Sequence, residues 1–172
     1  MSHPYSLVLF SPAMWELYRD LRLSSLLDSP DAFGGTHALE AARPPEVWQS
    51  RLAVAAASGL DLPLLARVEE SPAGLCWAKR DSANLGVVNL YQMWVAPRFR
   101  GAGVGSALLE RCMGWARSIG AAEIRLGVTI ADSPAHRLYI RHGFLPVGEP
   151  EPLRDGTDLL AQNMSLHVAG DA

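Results

Sequence analysis

A chain of 172 residues is long enough to bury a core in one domain, spanning residues 1–172, without help from disulfides or metal. Its 49 % hydrophobic and 19 % charged residues exclude a disordered polyelectrolyte and describe a folding composition. The net charge of −3, with fifteen Lys and Arg that form no dense run, argues against nucleic acid as a partner and leans towards a neutral or cationic one.

Met1 to Tyr5 carries no basic region, and the apolar stretch Leu7 to Phe10 is too short for a signal peptide. The apolar tract from Leu52 to Val68 is broken by Asp61 and Pro63, which excludes a membrane span, so the expected location is the cytoplasm. Ser6 to Phe10 predicts a strand, and Ser11-Pro12 opens a helix in which Met14, Leu17, Tyr18 and Leu21 recur at helical spacing until Asp28-Ser29-Pro30. Residues 29–43 hold Gly34-Gly35 and no clear period, which predicts a loop able to bind. Pro44-Pro45 starts a second helix containing Val47, Trp48, Leu52 and Val54 and ending before Gly59.

From residue 62 the period changes. Leu62 to Val68, Ala73 to Lys79 and Gly86 to Val95 read as three meandering strands separated by turn residues. After Pro97 comes a glycine-rich turn and a helix with Val104, Leu108, Cys112 and Trp115 on one face, ending near Gly120. Glu123 to Val128, Phe144 to Val147 and Leu159 to Val168 predict strands, and Ser133 to His142 a short helix. The order, with consecutive strands followed by a β-α-β crossover, predicts an α+β class with a mixed sheet flanked by helices. Cys76 and Cys112 read as small core residues, and with neither C-x-x-C nor H-E-x-x-H in the chain no metal site is expected.

The most informative stretch runs from Met93 to Ser106, strand then turn then helix. Glycines at 101, 103 and 105 let the backbone take positive φ and approach a ligand, while the following helix offers unpaired N–H groups and a partial positive charge. That combination is an anion cradle, to which Arg100 can add a charge; the plain alternative is a tight β-to-α turn. A P-loop needs Lys after its last glycine, and no Lys follows Lys79. A dinucleotide fingerprint wants Gly or Ala where Ser106 stands, with an acidic residue at the far end of the next strand, whereas Glu123 lies at its near end. A pyrophosphate held by a different loop geometry remains.

Arg100 to Gly105 matches R/Q-x-x-G-x-G/A, the signature of the GNAT N-acetyltransferase superfamily, and Val95-x-Pro97 with Leu108-Leu109 resembles its surroundings. Asp132 to Phe144 resembles that superfamily's second motif, N-x-x-A-x-x-L-Y-x-x-x-G-F, in the same order and separation. The resemblance implies a mostly antiparallel sheet of six to seven strands flanked by about four helices, with a splayed central pair that holds coenzyme A. It implies acetyl-CoA as cofactor, with pantetheine against Met93 and Val95 and pyrophosphate on the amides of Gly101, Ala102, Gly103, Val104, Gly105 and Ser106.

Acetylating an amine with a thioester requires a neutral amine, stabilisation of an oxyanion and a partner for the leaving thiolate. Tyr139, four residues after Ala135 and beside Leu138, falls on the helix face turned to the sheet, where periodicity alone makes it a core tyrosine. The motif implies instead that it serves the thiolate. A phenol near pKa 10 facing a thiol near 8.5 gives up its proton uphill by about 2 kcal/mol, so a hydrogen-bond donor is the better description. Asp132 replaces the more usual Asn and offers only acceptors to the cofactor. Asn89 stands where many relatives carry a basic Glu, which leaves water, Glu40 or His37 to receive the amine proton. Trp15, Phe33, Trp48, Trp94 and Asp31 are available to wall the acceptor pocket. The expected partner is a small-molecule amine, with neither nucleic acid nor membrane, and a homodimer is left open. A protein N-terminus or lysine, and a non-catalytic acyl-CoA sensor, are the alternatives.

Overall fold

The computed structural model describes residues 4–169; Met1–His3, on which the leader-peptide expectation partly rests, lie outside the described residues. Strand β1 (Tyr5–Leu9) leads through a single turn, Pro12–Met14, into helix α1 (Trp15–Asp28). Helices α2 (His37–Ala41) and α3 (Pro45–Ser58) follow, then strands β2 (Asp61–Val68), β3 (Ser71–Arg80) and β4 (Val87–Val95). Helix α4 (Val104–Ser118), strand β5 (Glu123–Thr129), helix α5 (Pro134–Arg141) and strands β6 (Leu145–Pro146), β7 (Glu151–Pro152) and β8 (Leu160–His167) complete the order.

The strands form one mixed sheet in the order β1-β2-β3-β4-β5-β8-β6, with β7 also on β8, and every pairing except β4 with β5 is antiparallel. The expected α+β class and mostly antiparallel sheet are therefore present, with eight strands and five helices among the described residues rather than six or seven strands and four. The extra strand, β7, is two residues long and has no period to read. Residues 29–43 are likewise more than loop, because Thr36 caps the five-residue α2 through its side chain to the Leu39 N–H. Val54 points outward, 60 % exposed, and the buried stripe of α3 is Trp48, Leu52 and Ala55.

Alternation along the strands divides the apolar residues between two cores. Leu62, Leu64 and Ala66 of β2 pack with Val104, Leu108 and Cys112 of α4 and with Leu138 and Tyr139 of α5. Leu65 of β2 and Leu75 of β3 face the other way, onto Tyr18 of α1 and Trp48 and Leu52 of α3. The sheet is thus covered on both faces, α4 and α5 on one and α1 and α3 on the other. Cys76 and Cys112 are both buried, as expected, and their sulfurs lie 3.3 Å apart.

Strand β4 carries a bulge. Leu75 of β3 pairs with Trp94 and Trp77 with Tyr91, so Gln92 and Met93 together oppose Cys76, and Gln92 takes φ +59°. The bulge is possible because Gly74 lets the two backbones close up; a Cβ there would come within 2.6 Å of the Trp94 carbonyl oxygen. Gly74→Ala should therefore cost roughly 1–3 kcal/mol in urea unfolding, as overpacking does. Gly114→Ala, on the exposed side of α4 where an added Cβ meets nothing within 4 Å, should stabilise by roughly 0.5–1 kcal/mol. Equal effects from both would contradict the close approach of β3 to β4.

Candidate active site

Strands β4 and β5 pair only from Val87–Asn89 to Glu123–Arg125 and then part. Each keeps its other neighbour, β3 or β8, so the divergence opens a gap in the middle of the sheet. A cavity of about 1450 Å³ occupies it. Of the residues singled out in the sequence, Met93, Val95, Arg100, Gly101, Gly103, Val104, Gly105, Ser106 and Tyr139 all line this one cavity. Ala102 and Asp132 do not. The Asp132 carboxylate is exposed and ion-paired with Arg137.

At one end stands the N-terminus of α4. Gly101 and Gly103 take φ +81° and +84°, and the helical ladder begins with the Ala107 N–H to the Gly103 carbonyl, 3.0 Å. The N–H groups of Val104, Gly105 and Ser106 are left without intrahelical partners. Gly105 departs from the expectation of positive φ: it is helical, and its missing Cβ makes room instead, since one would sit 3.4 Å from Leu138 and 3.7 Å from Val95. These residues fit a phosphate group, with aligned amides at a helix start and no side chain in the way.

Arg100 is not a free charge beside this cradle. Its Nε donates to the Val95 carbonyl at 2.9 Å and its Nη2 to Asp28 at 2.7 Å. The same Asp28 oxygen accepts from Trp94 Nε1 at 2.9 Å and from the Ser29 hydroxyl at 2.7 Å. Burial pushes this carboxyl up, but the hydrogen bonds from Trp94, Ser29 and Arg100 outweigh it and hold it below the usual carboxylate range. The C-terminus of α1 is thereby pinned to the end of β4 and to the turn before α4. Nearer the start of α1, the Tyr18 hydroxyl donates to Gln92 Oε1 at 2.9 Å and holds the bulge. No residue pattern announces the Asp28 clamp; the bulge has one faint signal, the isolated Gly74 inside a strand.

Ser133 caps α5, its hydroxyl accepting from the His136 N–H at 3.1 Å with Pro134 at the first turn, and so fixes the helix that carries Tyr139. The Tyr139 ring is 5.6 Å from that of Phe144 and packs in the core with Cys76 and Cys112. Its hydroxyl has no hydrogen-bond partner among the described residues, and the residue borders the cavity. Burial, with the two cysteines adding to it, raises the phenol well above its ordinary pKa, so it stays protonated and can donate.

On the far side of the gap from α4, the wall is made by residues 29–35 and 147–153. Thr129 of β5 donates to the Asp31 carbonyl at 2.6 Å and Arg154 to that of Phe33 at 2.7 Å, which fastens the first segment over the sheet. Phe33, Trp94 and Asp31 border the cavity as expected, whereas Trp48 lies 1 % exposed in the core and Trp15 stacks under Arg19 at 5.2 Å. Glu40 and His37 do not border it either. Glu40 is held by Arg51 at 3.0 Å and Arg43 at 3.4 Å, and Asn89 donates to Asp81 at 3.2 Å.

The sequence pattern of the Acetyltransferase (GNAT) family matches residues 22–144. Streptothricin acetyltransferase from Streptomyces lavendulae is 40 % identical over 63 residues, a match that spans 37 % of this chain and only 33 % of that curated relative. The structure of yncA from Salmonella typhimurium with its cofactor acetyl-CoA is similar at a TM-score of 0.77 and 17 % identity, over 98 % of this chain and 96 % of that one. Spermidine N-acetyltransferase from Vibrio cholerae, in complex with CoA and spermine, is similar at 0.78 and 13 % identity, over 97 % of each chain. At such identities the two structures speak for the fold. Among the described residues no helix is long and apolar enough to cross a membrane.

The buried acids give the fold a pH dependence. Burial raises the pKa of the Cys76 thiol and of the Tyr18 and Tyr139 phenols, so all three hold their protons more tightly folded than unfolded. Their contribution is complete below the unfolded values, about 8.5 for a thiol and about 10 for a phenol, and is lost as pH rises past them. The melting temperature should be level from about pH 7 to 8.5 and fall steadily above that. A level profile to pH 10.5 would contradict the burial of these groups.

Proposed function

Because the chain belongs to the GNAT acetyltransferase family, we propose that it is one coenzyme A-dependent N-acetyltransferase domain acting on a primary amine of a small molecule. The observation that carries this reading is the gap between β4 and β5, which has the α4 amides at one end and Tyr139 in its wall. The amides of Val104, Gly105 and Ser106, with Gly101 and Gly103 leaving the approach clear, would hold the pyrophosphate. Arg100 acts by fixing the turn through Val95 and Asp28. Met93 and Val95 lie on the stretch of β4 that has no β5 partner, where backbone groups are available to pantetheine.

When bound, acetyl-CoA supplies an acyl thioester as the electrophile. The protonated Tyr139 hydroxyl donates a hydrogen bond where negative charge develops on the departing sulfur, and its raised pKa makes it a donor rather than a source of free protons. With Glu40 ion-paired and Asn89 in the place of a carboxylate, solvent in the wide cavity receives the amine proton. Asn89, and Asp132 in the place of the more usual Asn, favour the rival reading, an acyl-CoA-binding sensor without turnover. Release of free CoA with a panel of amines separates them.

Millimolar CoA should raise the melting temperature, by linkage worth about 2.7 kcal/mol at a hundredfold excess over Kd. Gly103→Val should abolish the shift while the variant stays folded, since a β-branched residue resists φ +84° at the helix start. An unchanged CoA affinity in that variant would rule out the cradle.

Tyr139→Phe removes a hydroxyl with no partner among the described residues and keeps the ring against Phe144, so stability should change by less than about 1 kcal/mol. The expected kinetic result is a kcat lower by about 10²-fold with KM for acetyl-CoA nearly unchanged. A near-wild-type kcat would reject the role of Tyr139 and leave the thiolate to solvent or to the substrate ammonium.

A further inference from the structure

Among the described residues, Arg22 is the charged side chain most withdrawn from water, 6 % exposed. A guanidinium in that position is costly unless it meets an anion. Its Nη1 reaches only the Ser25 hydroxyl, at 3.3 Å, and its plane lies over the Phe33 ring at 4.6 Å. Its Nε–H has no hydrogen-bond partner. Glu40, the nearby carboxylate, is already taken by Arg51 and Arg43, so three guanidinium groups share one negative charge. Burial lowers the Arg22 pKa from its ordinary value; Tyr18 and Glu40 act against this, and the Arg51 charge adds to the lowering.

The position of this unmatched cation is informative. Tyr18, Arg22, Ser25 and the helix-terminal Asp28 follow one another at helical spacing along α1. Tyr18 meets the bulge at Gln92 and Asp28 meets Trp94, so Arg22 stands between them, beside the bulged part of β4, and borders the cavity with Phe33 and Gly35. Helix α1 covers the face of the sheet opposite to α4. The phosphates proposed for the α4 amides lie across the sheet, so Arg22 does not serve them and is available to the acceptor.

We propose that Arg22 selects the acceptor by binding its carboxylate, so that the amine acetylated is that of a small amino acid. This rests on the acetyltransferase reading and deepens it. Nε is closed off from the cavity and Nη1 is on Ser25, so a carboxylate meets the guanidinium at Nη2, beside the cavity-lining Gly35, in a charge-assisted pair. Phe33 holds the guanidinium plane in place, and the Asp31 and Phe33 carbonyls anchor the loop that closes over it.

The test uses the full chain at saturating acetyl-CoA and compares each of several amino acids with its own carboxamide, which keeps the side chain and the amine but loses the negative charge. Wild type should show a kcat/KM about 10²-fold higher for the acid, the scale of a charge-assisted pair. The carboxamide has the more acidic ammonium and therefore more neutral amine, so this preference cannot arise from the nucleophile. In Arg22→Met the acid-to-amide ratio should collapse to within about threefold of one, and Arg22→Lys should restore part of it. Melting temperature and acetyl-CoA affinity of both variants show whether they are folded, and the wild-type ratio needs no variant at all. A wild-type ratio near or below one, with turnover present, overturns the assignment of Arg22 and leaves the acetyltransferase reading intact. An unchanged ratio in folded Arg22→Met also overturns it and makes Arg22 a packing residue. Absence of turnover with every amine, in a chain that binds acetyl-CoA, overturns both readings.

Discussion

Two central strands that run side by side for three residues and then separate leave backbone amides and carbonyls without partners, and the rest of the molecule is arranged around that gap. A sheet ordinarily closes such an opening, because unpaired polar backbone away from water is costly. Here the separation is built in from both sides. The bulge at Gln92 and Met93 turns the end of β4 towards β3, where Gly74 gives it room. Strand β5 follows β8 for its whole length. What the gap lacks in strand pairing is available to a ligand that can form hydrogen bonds like a strand, as the amides of pantetheine do.

Two contacts on α1 keep β4 in this position. Tyr18 binds the bulged Gln92 through a part-buried hydrogen bond, and Asp28 gathers Trp94, Ser29 and Arg100 on one carboxylate oxygen. The second contact changes the meaning of Arg100. In a glycine-rich turn an arginine reads most simply as a charge for the phosphate, yet in this chain the charge is answered by Asp28 and the side chain acts as a strut from α1 to the turn. The cradle then depends on the helix start itself, where the unpartnered N–H groups of Val104, Gly105 and Ser106 carry a partial positive charge that no internal acid cancels.

Much of this arrangement was legible in the chain because it rests on local chemistry. The 3.6-residue period of α4, the Ser133-Pro134 start of α5, and the strand, turn and helix from Met93 to Ser106 are each set by a few neighbouring residues, and each stands where the sequence put it. The elements missed were the short ones: α2 is a single capped turn and β7 a two-residue pairing, both made by tertiary contact rather than by a period. Long-range polar contacts were equally invisible. Asp28 and Arg100 are 72 residues apart and Tyr18 and Gln92 are 74 apart, and nothing in either segment announces the other. Asp132 shows the same limit at short range. The motif implies a cofactor contact for it, and the ion pair its carboxylate makes with Arg137, five residues on, has no signal in that motif.

The largest disagreement between sequence and site concerns charge. A chain with a net charge of −3 suggests a cationic partner only if its charges act together at the site, and they do not. In physiological salt an exposed charge is screened within about 8 Å, so the surplus acids on the surface contribute little inside a cavity walled by protein. What acts there are the few groups withdrawn from water, and in the wall beside α1 that is Arg22, since Asp28 is answered by Arg100. Screening weakens as burial increases, so Arg22, although a single positive charge, outweighs several exposed negative ones in the potential that an incoming amine meets. The overall balance of the chain and the preference of its binding wall can therefore have opposite signs. The preference proposed for amines that carry a negative group rests on the wall and not on the total.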